Sequence, residues 1–541
     1  MFYRIDKIRL IKIKAMVLLL FLLLSIRLSY FQYFKRDYFK GLADDQYIYH
    51  EKISDINYQL LDIRGKYLNN VVPKYSAVFD ARLFKLNNYE ANLDNLMALN
   101  YIIKEVDESF DVNNILNKSS GKIYINIDEK THYKIQQIAG KIKGVYSWRY
   151  DSLDRTDSWN ITNVITNLNS WNDRSKDYNS IEGGLKSLIR DNKAEIKFQV
   201  NKSGYIKEAG YKLPNKANVF LTLDSDLQSK IKKILLNEKF NRFSQIGAVL
   251  IKAETGEIKA IVQKNDNQPN INIAASLQGY PPGSTFKLLT AELALDKGVI
   301  SKDEKLTCTG KYCKKNNLSH PHGRINLEQA INYSCNDYFI EIGNKITTDE
   351  IIKYAEKNGF LSKILNFNDE ASGVLNKPQK DETNNNLVLG YSINATPVQV
   401  AAAISPIVNN GKLIKPYIIK KITDLDNNVI KEFTTESSIV TSNKTANTIK
   451  SYMRSTVTNG TGTVANISGM DVGGKTGTAS SFDGKAMHTH GWFAGYFKKN
   501  NEQYILVTFV PNIDGKNELG EEFQGSNTAG VVFKDILLCL K

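Results

Sequence analysis

The chain has 541 residues, 42% of them hydrophobic and 24% charged, and a formal net charge of +14. Those figures exclude a largely disordered chain and leave room for two or three domains with their own cores. They do not point to nucleic acid, because the excess charge is spread along a Lys- and Asn-rich sequence with no arginine-rich stripe and no interleaved aromatics.

The N-terminus carries the first localised signal. Arg4, Lys7, Arg9, Lys12 and Lys14 face a single acid, Asp6, and are followed by "AMVLLLFLLLSIRLSYFQYF" at 15–34. That run of about 20 residues matches a bilayer core. Its one charge, Arg27, can snorkel on its long stem. Tyr30, Phe31, Tyr33 and Phe34 make an aromatic interface. No small-x-small cleavage site follows, so a retained transmembrane anchor is expected, not a signal peptide. The basic residues place 1–14 in the cytoplasm and 35–541 outside the membrane. Among the four cysteines, Cys308 and Cys313 in "CTGKYC" can close a small disulfide loop or stay as two free thiols.

Residues 35–215 are polar and Asn-rich, with short apolar runs at 75–84 and 122–127 and three tryptophans, Trp148, Trp159 and Trp171, read as local core. Residues 212–224 read as a linker running into a strand. Helical spacing follows an Asp start at 224–240. "GAVLIKAETGEIKAIV" (247–262) predicts two strands turning at Thr255-Gly256. Residues 284–360 read as mainly helical. Residues 490–510 predict a hairpin turning at Lys498–Asn501, and 526–540 a final amphipathic helix. The implied fold is α+β: an antiparallel sheet built from distant ends of the region, with helices between them.

Three short motifs carry chemistry, and none is specific alone. Ser-x-x-Lys occurs at Ser119, Ser229 and Ser284. Only Ser284 follows Pro281, Pro282 and Gly283 and opens an apolar helix, "STFKLLTAELAL". A serine at a helix start sees free backbone N–H groups and the positive end of the dipole. Lys287 lies one turn on. Burial would lower its pKa and leave a neutral amine able to take the serine proton. "YSCNDYF" (333–339) offers Ser334 as a proton relay and Asn336 as a holder of a substrate amide. "VGGKTGTAS" (472–480) offers Lys475 as positive charge and Thr476 and Thr478 as hydroxyls for a carboxylate. Gly477 and its neighbouring glycines let a peptide lie along the strand. The blander alternatives are a capping serine, a polar helix junction and a lysine-protected edge strand. The three motifs in this order match the combination of penicillin-binding proteins and serine β-lactamases.

Over 216–541 the chain resembles a class B penicillin-binding protein, in "VFLTLDSDLQ", "YPPGSTFKLLTA", "HGRINLEQAINYSCNDYF", "GGKTGTA" and "HGWFAGYF". More weakly, 180–193 resembles the end of the family's pedestal domain. Asn57-Tyr58 stand where the family's arginine-glycine box begins, although Asp62, Gly65 and Leu68 remain. The resemblance implies a penicillin-binding, serine β-lactamase-like transpeptidase domain, a mixed α/β pedestal at 35–215 and one membrane helix. It implies a peptidoglycan D,D-transpeptidase that is acylated by stem peptides and by β-lactams. Ser284 would be the nucleophile, Lys287 the base, and Ser334, Asn336 and Lys475 their partners. Thr476, Gly477 and Thr478 would bind substrate. The backbone N–H groups of Ser284 and Thr478 would form the oxyanion hole. A membrane glycan polymerase and other wall-synthesis proteins are implied as partners, and no cofactor or metal.

A D,D-carboxypeptidase would share all three motifs. A β-lactamase would need a base for deacylation, for which Glu382 and Asn386 have the right spacing. A β-lactam sensor would need a larger membrane part. His320/His322 and His488/His490 form two His-x-His pairs that could bind zinc if the fold joined them.

Overall fold

The computed structural model describes residues 7–36, 38, 47–54, 58–68, 71–153, 194–212, 217–266, 268, 270–273, 280–315, 318–366, 370–377 and 383–541. Trp159, Trp171, the 180–193 stretch and Glu382 lie outside them.

The apolar N-terminal run is helical within α1 (Lys7–Tyr33), and from Met16 to Leu24 its large side chains are exposed. Among the described residues no helix is long and apolar enough to cross a membrane.

The described residues fall into two compact units. In the first, β1 (Ile48–Lys52) belongs to a three-stranded sheet with β6 (Glu195–Val200) and β7 (Ile206–Lys212), in the order β1-β6-β7. A second sheet has β3 (Val71–Asp80) between β4 (Lys122–Ile127) and β5 (Val145–Leu153). Helices α2 (Leu93–Lys104) and α3 (Glu129–Ala139) add Leu99, Ile103 and Ile135 to a core with Phe79 and Val145. Asp128 caps α3 through the Thr131 N–H, leaving that donor satisfied. Trp148 is buried and donates its indole N–H to the Lys52 carbonyl at 3.0 Å.

The second unit takes in Tyr58–Asn70 and Asn215–Lys541. Strand β2 (Tyr58–Leu61) pairs in parallel with β8 (Ala217–Leu221), and β13 (Ile419–Thr423) and β14 (Val429–Glu432) complete that sheet. The remnant of the arginine-glycine box has a structural use. Asp62, fully buried, accepts from the N–H groups of Arg64 and Lys66 and from the Ser225 hydroxyl. These three donors hold it charged, below the usual carboxylate range, against the burial that opposes them. Its Ser225 partner opens α4 (Ser225–Leu235).

The main sheet of this unit is antiparallel and five-stranded. Its order is β10-β9-β17-β16-β15, with β9 (Gly247–Lys252), β10 (Ile258–Gln263), β15 (Val472–Phe482), β16 (Met487–Lys499) and β17 (Glu502–Val510). Asn500 and Asn501 turn the β16–β17 hairpin with φ of 50° and 64°, a left-handed region that Asn tolerates. The expected joining of distant ends is present: β9 pairs with β17, Lys252 opposite Tyr504. One face packs Leu250, Leu506 and Phe493 on Ile231 and Leu235 of α4 and on Phe533 and Leu537 of α11 (Ala529–Leu540). On the other side lie α9 (Pro397–Val408), whose residues are all buried, and α10 (Asn443–Asn459). Strands β10 and β15 are its two edges.

Two expectations need correction. Residues 284–360 are helical only in part and not mainly helical. Helices α5 (Lys287–Asp296), α6 (Leu327–Asn332), α7 (Asn336–Gly343) and α8 (Thr348–Lys357) are interrupted by an antiparallel pair, β11 (Leu306–Cys308) and β12 (Gly323–Ile325). Glycines at positive φ, Gly310 (79°) and Gly323 (73°), break the helical path there. Ser284 also does not open the α-helix itself. It sits in a 3₁₀ turn, Gly283–Thr285, and α5 begins only at Lys287.

Helix α5 carries one buried liability. Glu292 is fully buried, and neither carboxylate oxygen has a hydrogen-bond partner among the described residues. Burial, then the charge of Asp296, pushes its pKa well above the ordinary 4.5. The folded chain therefore keeps a proton that the unfolded chain loses above that value. Stability from this group falls as pH rises, by about 1.4 kcal/mol per unit, until the folded pKa is reached. Glu292→Gln should melt closer to the parent at pH 5 and progressively above it toward pH 7. A melting difference that does not change with pH would contradict this account.

Candidate active site

The 3₁₀ turn holding Ser284 is wedged between two other segments. Gly283 has φ of 54°, and its N–H bonds to the Gly390 carbonyl at 3.1 Å. A Cβ on Gly283 would meet the Thr478 carbonyl and the Ala479 Cβ at 2.9 Å. The Pro281 carbonyl accepts from the buried Trp492 indole at 2.9 Å. Ser284 is thereby fixed, half-buried, beside the middle of β15.

Lys287 is fully buried at the first turn of α5. Its Nζ donates to the Ser334 carbonyl (2.7 Å), to Asn336 Oδ1 (2.6 Å) and to Ser334 Oγ (3.3 Å). Burial lowers its pKa to about 8. Lys475, also fully buried, reaches Ser334 Oγ at 3.0 Å from the opposite side and its neighbour's Thr476 carbonyl at 3.0 Å. Burial, then repulsion from Lys287, holds its pKa well below 10.5. Two amines thus share one hydroxyl, and charge on Lys287 disfavours charge on Lys475. Ser334 is held between them with φ of 57°, an uncommon state for a serine and one associated with functional positions. It sits in the break between α6 and α7.

The structure brings Ser284, Lys287, Ser334, Asn336, Lys475, Thr476, Gly477 and Thr478 to one end of the sheet, within the second unit. Asn336 donates its amide to the Tyr312 carbonyl at 3.0 Å, which leaves its oxygen for Lys287. Thr478 Oγ1 accepts from the Gly525 N–H at 2.9 Å, so its own proton is free to be donated into the cleft. Thr476 pairs with Thr461 through their hydroxyls at 2.8 Å. Gly477 packs against the Pro282 carbonyl, where a Cβ would stand at 2.8 Å. Two open cavities flank the site. One of about 730 Å³ is lined by Tyr391, Thr478, Ser480 and Gln524. The other, of about 900 Å³, is lined by Ser334, Asn336, Thr461 and Gln524.

Gly390, Tyr391, Thr461 and Trp492 lie outside the three chemical motifs, and sequence reading gave them no role, although Gly390, Tyr391 and Trp492 fall in stretches that carry the family resemblance. Two alternatives that the sequence left open can be compared with the fold. All four cysteines are free thiols, so the Cys308–Cys313 loop is not bonded. The four histidines share no common group among the described residues. His488 is bridged to Asp514 (2.9 Å) and Asp483 (3.2 Å). His490 is buried, and burial lowers its pKa to about 4. It accepts from the Asn512 N–H and contacts Ser481 Oγ at 2.7 Å. His322 instead lies with Cys308, Cys313 and Cys335.

Residues 246–538 match the model of the penicillin binding protein transpeptidase domain, and the chain belongs to that family. Stage V sporulation protein D of Bacillus subtilis is 28% identical over 375 residues, covering 61% of this chain and 56% of that protein. The peptidoglycan D,D-transpeptidase FtsI of Buchnera aphidicola is 25% identical over 440 residues, covering 77% and 70%. The chain spans a little over half the length of the Bacillus relative. Among solved structures, a peptidoglycan synthetase from Bifidobacterium adolescentis superposes with a TM-score of 0.64 at 18% identity, over 91% of this chain and 96% of that one. Penicillin binding protein 3 from Mycobacterium tuberculosis, complexed with aztreonam, gives 0.61 at 17% identity, over the same shares. At these identities the structures speak for the fold.

Proposed function

We propose that the chain is a peptidoglycan D,D-transpeptidase working through an acyl-enzyme on Ser284, and that β-lactams acylate the same residue. The observation that carries this reading is the Lys287–Ser334–Lys475 chain beside Ser284, where one hydroxyl touches two buried amines. Ser284 Oγ attacks the carbonyl between two D-alanines of a stem peptide. Neutral Lys287 takes its proton, and the Ser284 and Thr478 N–H groups receive the developing oxyanion. Ser334 passes a proton to the departing D-alanine, with Lys475 replenishing it. Thr476 and Thr478 hold the terminal carboxylate, and Gly477 lets the peptide lie against β15 as an added strand. An amine of a second stem peptide then takes the acyl group. Two cavities at the site give room for two peptide arms, which favours cross-linking over simple trimming. The Buchnera relative, a peptidoglycan D,D-transpeptidase, is of the same reaction class.

The division into a tail at 1–14, an anchor at 15–34, a pedestal at 35–215 and a catalytic domain at 216–541 belongs to this proposal. Its support is the exposed apolar run of α1 and the two compact units, although Tyr58–Asn70, inside the pedestal range, belongs to the catalytic unit. A membrane glycan polymerase is the partner the family resemblance implies, at the outer face of a bacterial membrane.

Mapping of a fluorescent penicillin adduct tests the nucleophile: the label should fall on Ser284 and vanish in Ser284→Ala. A label that persists there refutes the mechanism. Incubation with a stem-peptide donor, with and without an amine acceptor, should yield cross-linked product only with the acceptor. Release of D-alanine alone would make the enzyme a carboxypeptidase.

A further inference from the structure

Beside the acyl-transfer site lies a second cluster with a chemistry of its own. The metal-binding atoms of Cys308, Cys313, His322 and Cys335 all lie within 4.8 Å of one another. The three thiols are buried, at 2%, 5% and 0% exposure. Cys308 Sγ stands 3.4 Å from His322 Nδ1, and Cys313 Sγ stands 3.6 Å from Cys335 Sγ. A tetrahedral zinc ion, with Zn–S of about 2.3 Å and Zn–N of about 2.0 Å, sets ligand separations of about 3.8 Å for S···S and about 3.5 Å for S···N. The two measured separations agree with that geometry.

The surroundings suit thiolates. The Asn336 N–H points at Cys313 Sγ (3.2 Å) and the Tyr338 N–H at Cys335 Sγ (3.5 Å). The ligand-bearing loop is held by an independent device. Asp337 accepts from four successive N–H groups, those of Thr309, Gly310, Lys311 and Tyr312, and from the Thr309 hydroxyl. Strand pairing supplies the fourth ligand: Cys308 lies opposite Gly323, so His322 falls beside it. The His322 ring stacks on Tyr333 with centroids 5.4 Å apart.

We propose that Cys308, Cys313, His322 and Cys335 bind one structural zinc ion. Three thiolates with one imidazole form a closed, soft, tetrahedral set that suits zinc and leaves no position for substrate. On binding, three S–H protons pass to solvent, three S–Zn bonds and one N–Zn bond form, and nothing is oxidised or reduced. Cys335 stands between Ser334 and Asn336, the two residues that hold Lys287. The ion therefore ties the 308–322 loop to the start of α7 and fixes Ser334 in its left-handed backbone state. These four residues are positioning residues.

The test is the metal content of the full-length chain in detergent, purified under reducing conditions and dialysed against metal-free buffer. Roughly one zinc per chain is expected in the parent and in Ser284→Ala, and at least about tenfold less in Cys308→Ser and Cys335→Ser. Cobalt exchanged into the parent should give thiolate-to-metal charge-transfer bands and tetrahedral ligand-field bands. If the serine variants do not fold, His322→Ala, with all three thiols kept, should still bind cobalt but with a changed ligand-field spectrum. Parent protein with every thiol reduced and no zinc overturns the proposal. So does a Cys313–Cys335 disulfide in peptide mapping of unreduced protein. Retention of zinc by Ser284→Ala separates this inference from the fate of the acyl-enzyme reading.

Discussion

Lys287→Met should slow acylation of Ser284 by a fluorescent penicillin about a thousandfold, the middle of the range for losing a positioned general base. Methionine fills the same buried space without an amine, so the variant should remain folded. Stopped-flow labelling gives the rate, and melting confirms the fold. A rate within tenfold of the parent would move the base to Lys475. The parent rate should carry a pH signature. Lys287 must be neutral to accept a proton, and burial sets its pKa to about 8. Acylation should therefore climb about tenfold per pH unit below that value and level off above it. The groups facing Lys287 are Ser334, Asn336, Lys475 and the thiols Cys313 and Cys335. Burial, not Lys475, sets the Lys287 value, and the repulsion acts from Lys287 onto Lys475, so Lys475→Met should leave the inflection in place. A profile flat from pH 6 to 9 would refute the assignment.

Gly390→Ala should cost about a hundredfold in the same assay, although Gly390 belongs to none of the three motifs. Its φ is 78°, which a side chain opposes, and a Cβ there would stand 2.4 Å from the Gly283 carbonyl and 2.7 Å from the Phe286 Cβ. Something must yield. The neighbour is the 3₁₀ turn that carries Ser284, and displacement of a nucleophile by about 1 Å can cost that much. Cleavage of a reactive thioester by the folded variant at the parent rate would show that the turn accommodates the methyl group.

The three motifs were legible because each places reactive side chains within one turn or one strand, where spacing in sequence is spacing in space. The hairpins at 247–262 and 490–510 were legible for the same reason. What escaped depends on contacts that only the whole fold makes. Gly390 faces Gly283 across more than a hundred residues. Ser334 looks like a helix-junction serine until its backbone is seen in the left-handed region. The state of the cysteines stayed open in the sequence because spacing alone does not choose between a bonded loop and free thiols. Cys308 and Cys313 could be read as a bonded loop or as free thiols, and only the fold sets both of them, with His322, beside Cys335. The helical reading of 284–360 failed at the β11–β12 ladder, where glycines at positive φ outweigh the apolar spacing on either side.

The order of strands in the main sheet governs how the molecule can be built. β9 and β10 emerge early in synthesis, yet β9's other neighbour is β17, near the far end of the chain. Until then the hairpin has an open apolar edge, and closing so long a loop costs entropy before any pairing repays it. Ser284 is made long before β15 exists to face it. The catalytic unit should therefore fold in one late step after synthesis, and loss of even the last two strands should leave the serine turn without its wall. Truncation from the C-terminal end would silence the enzyme much sooner than truncation from the other.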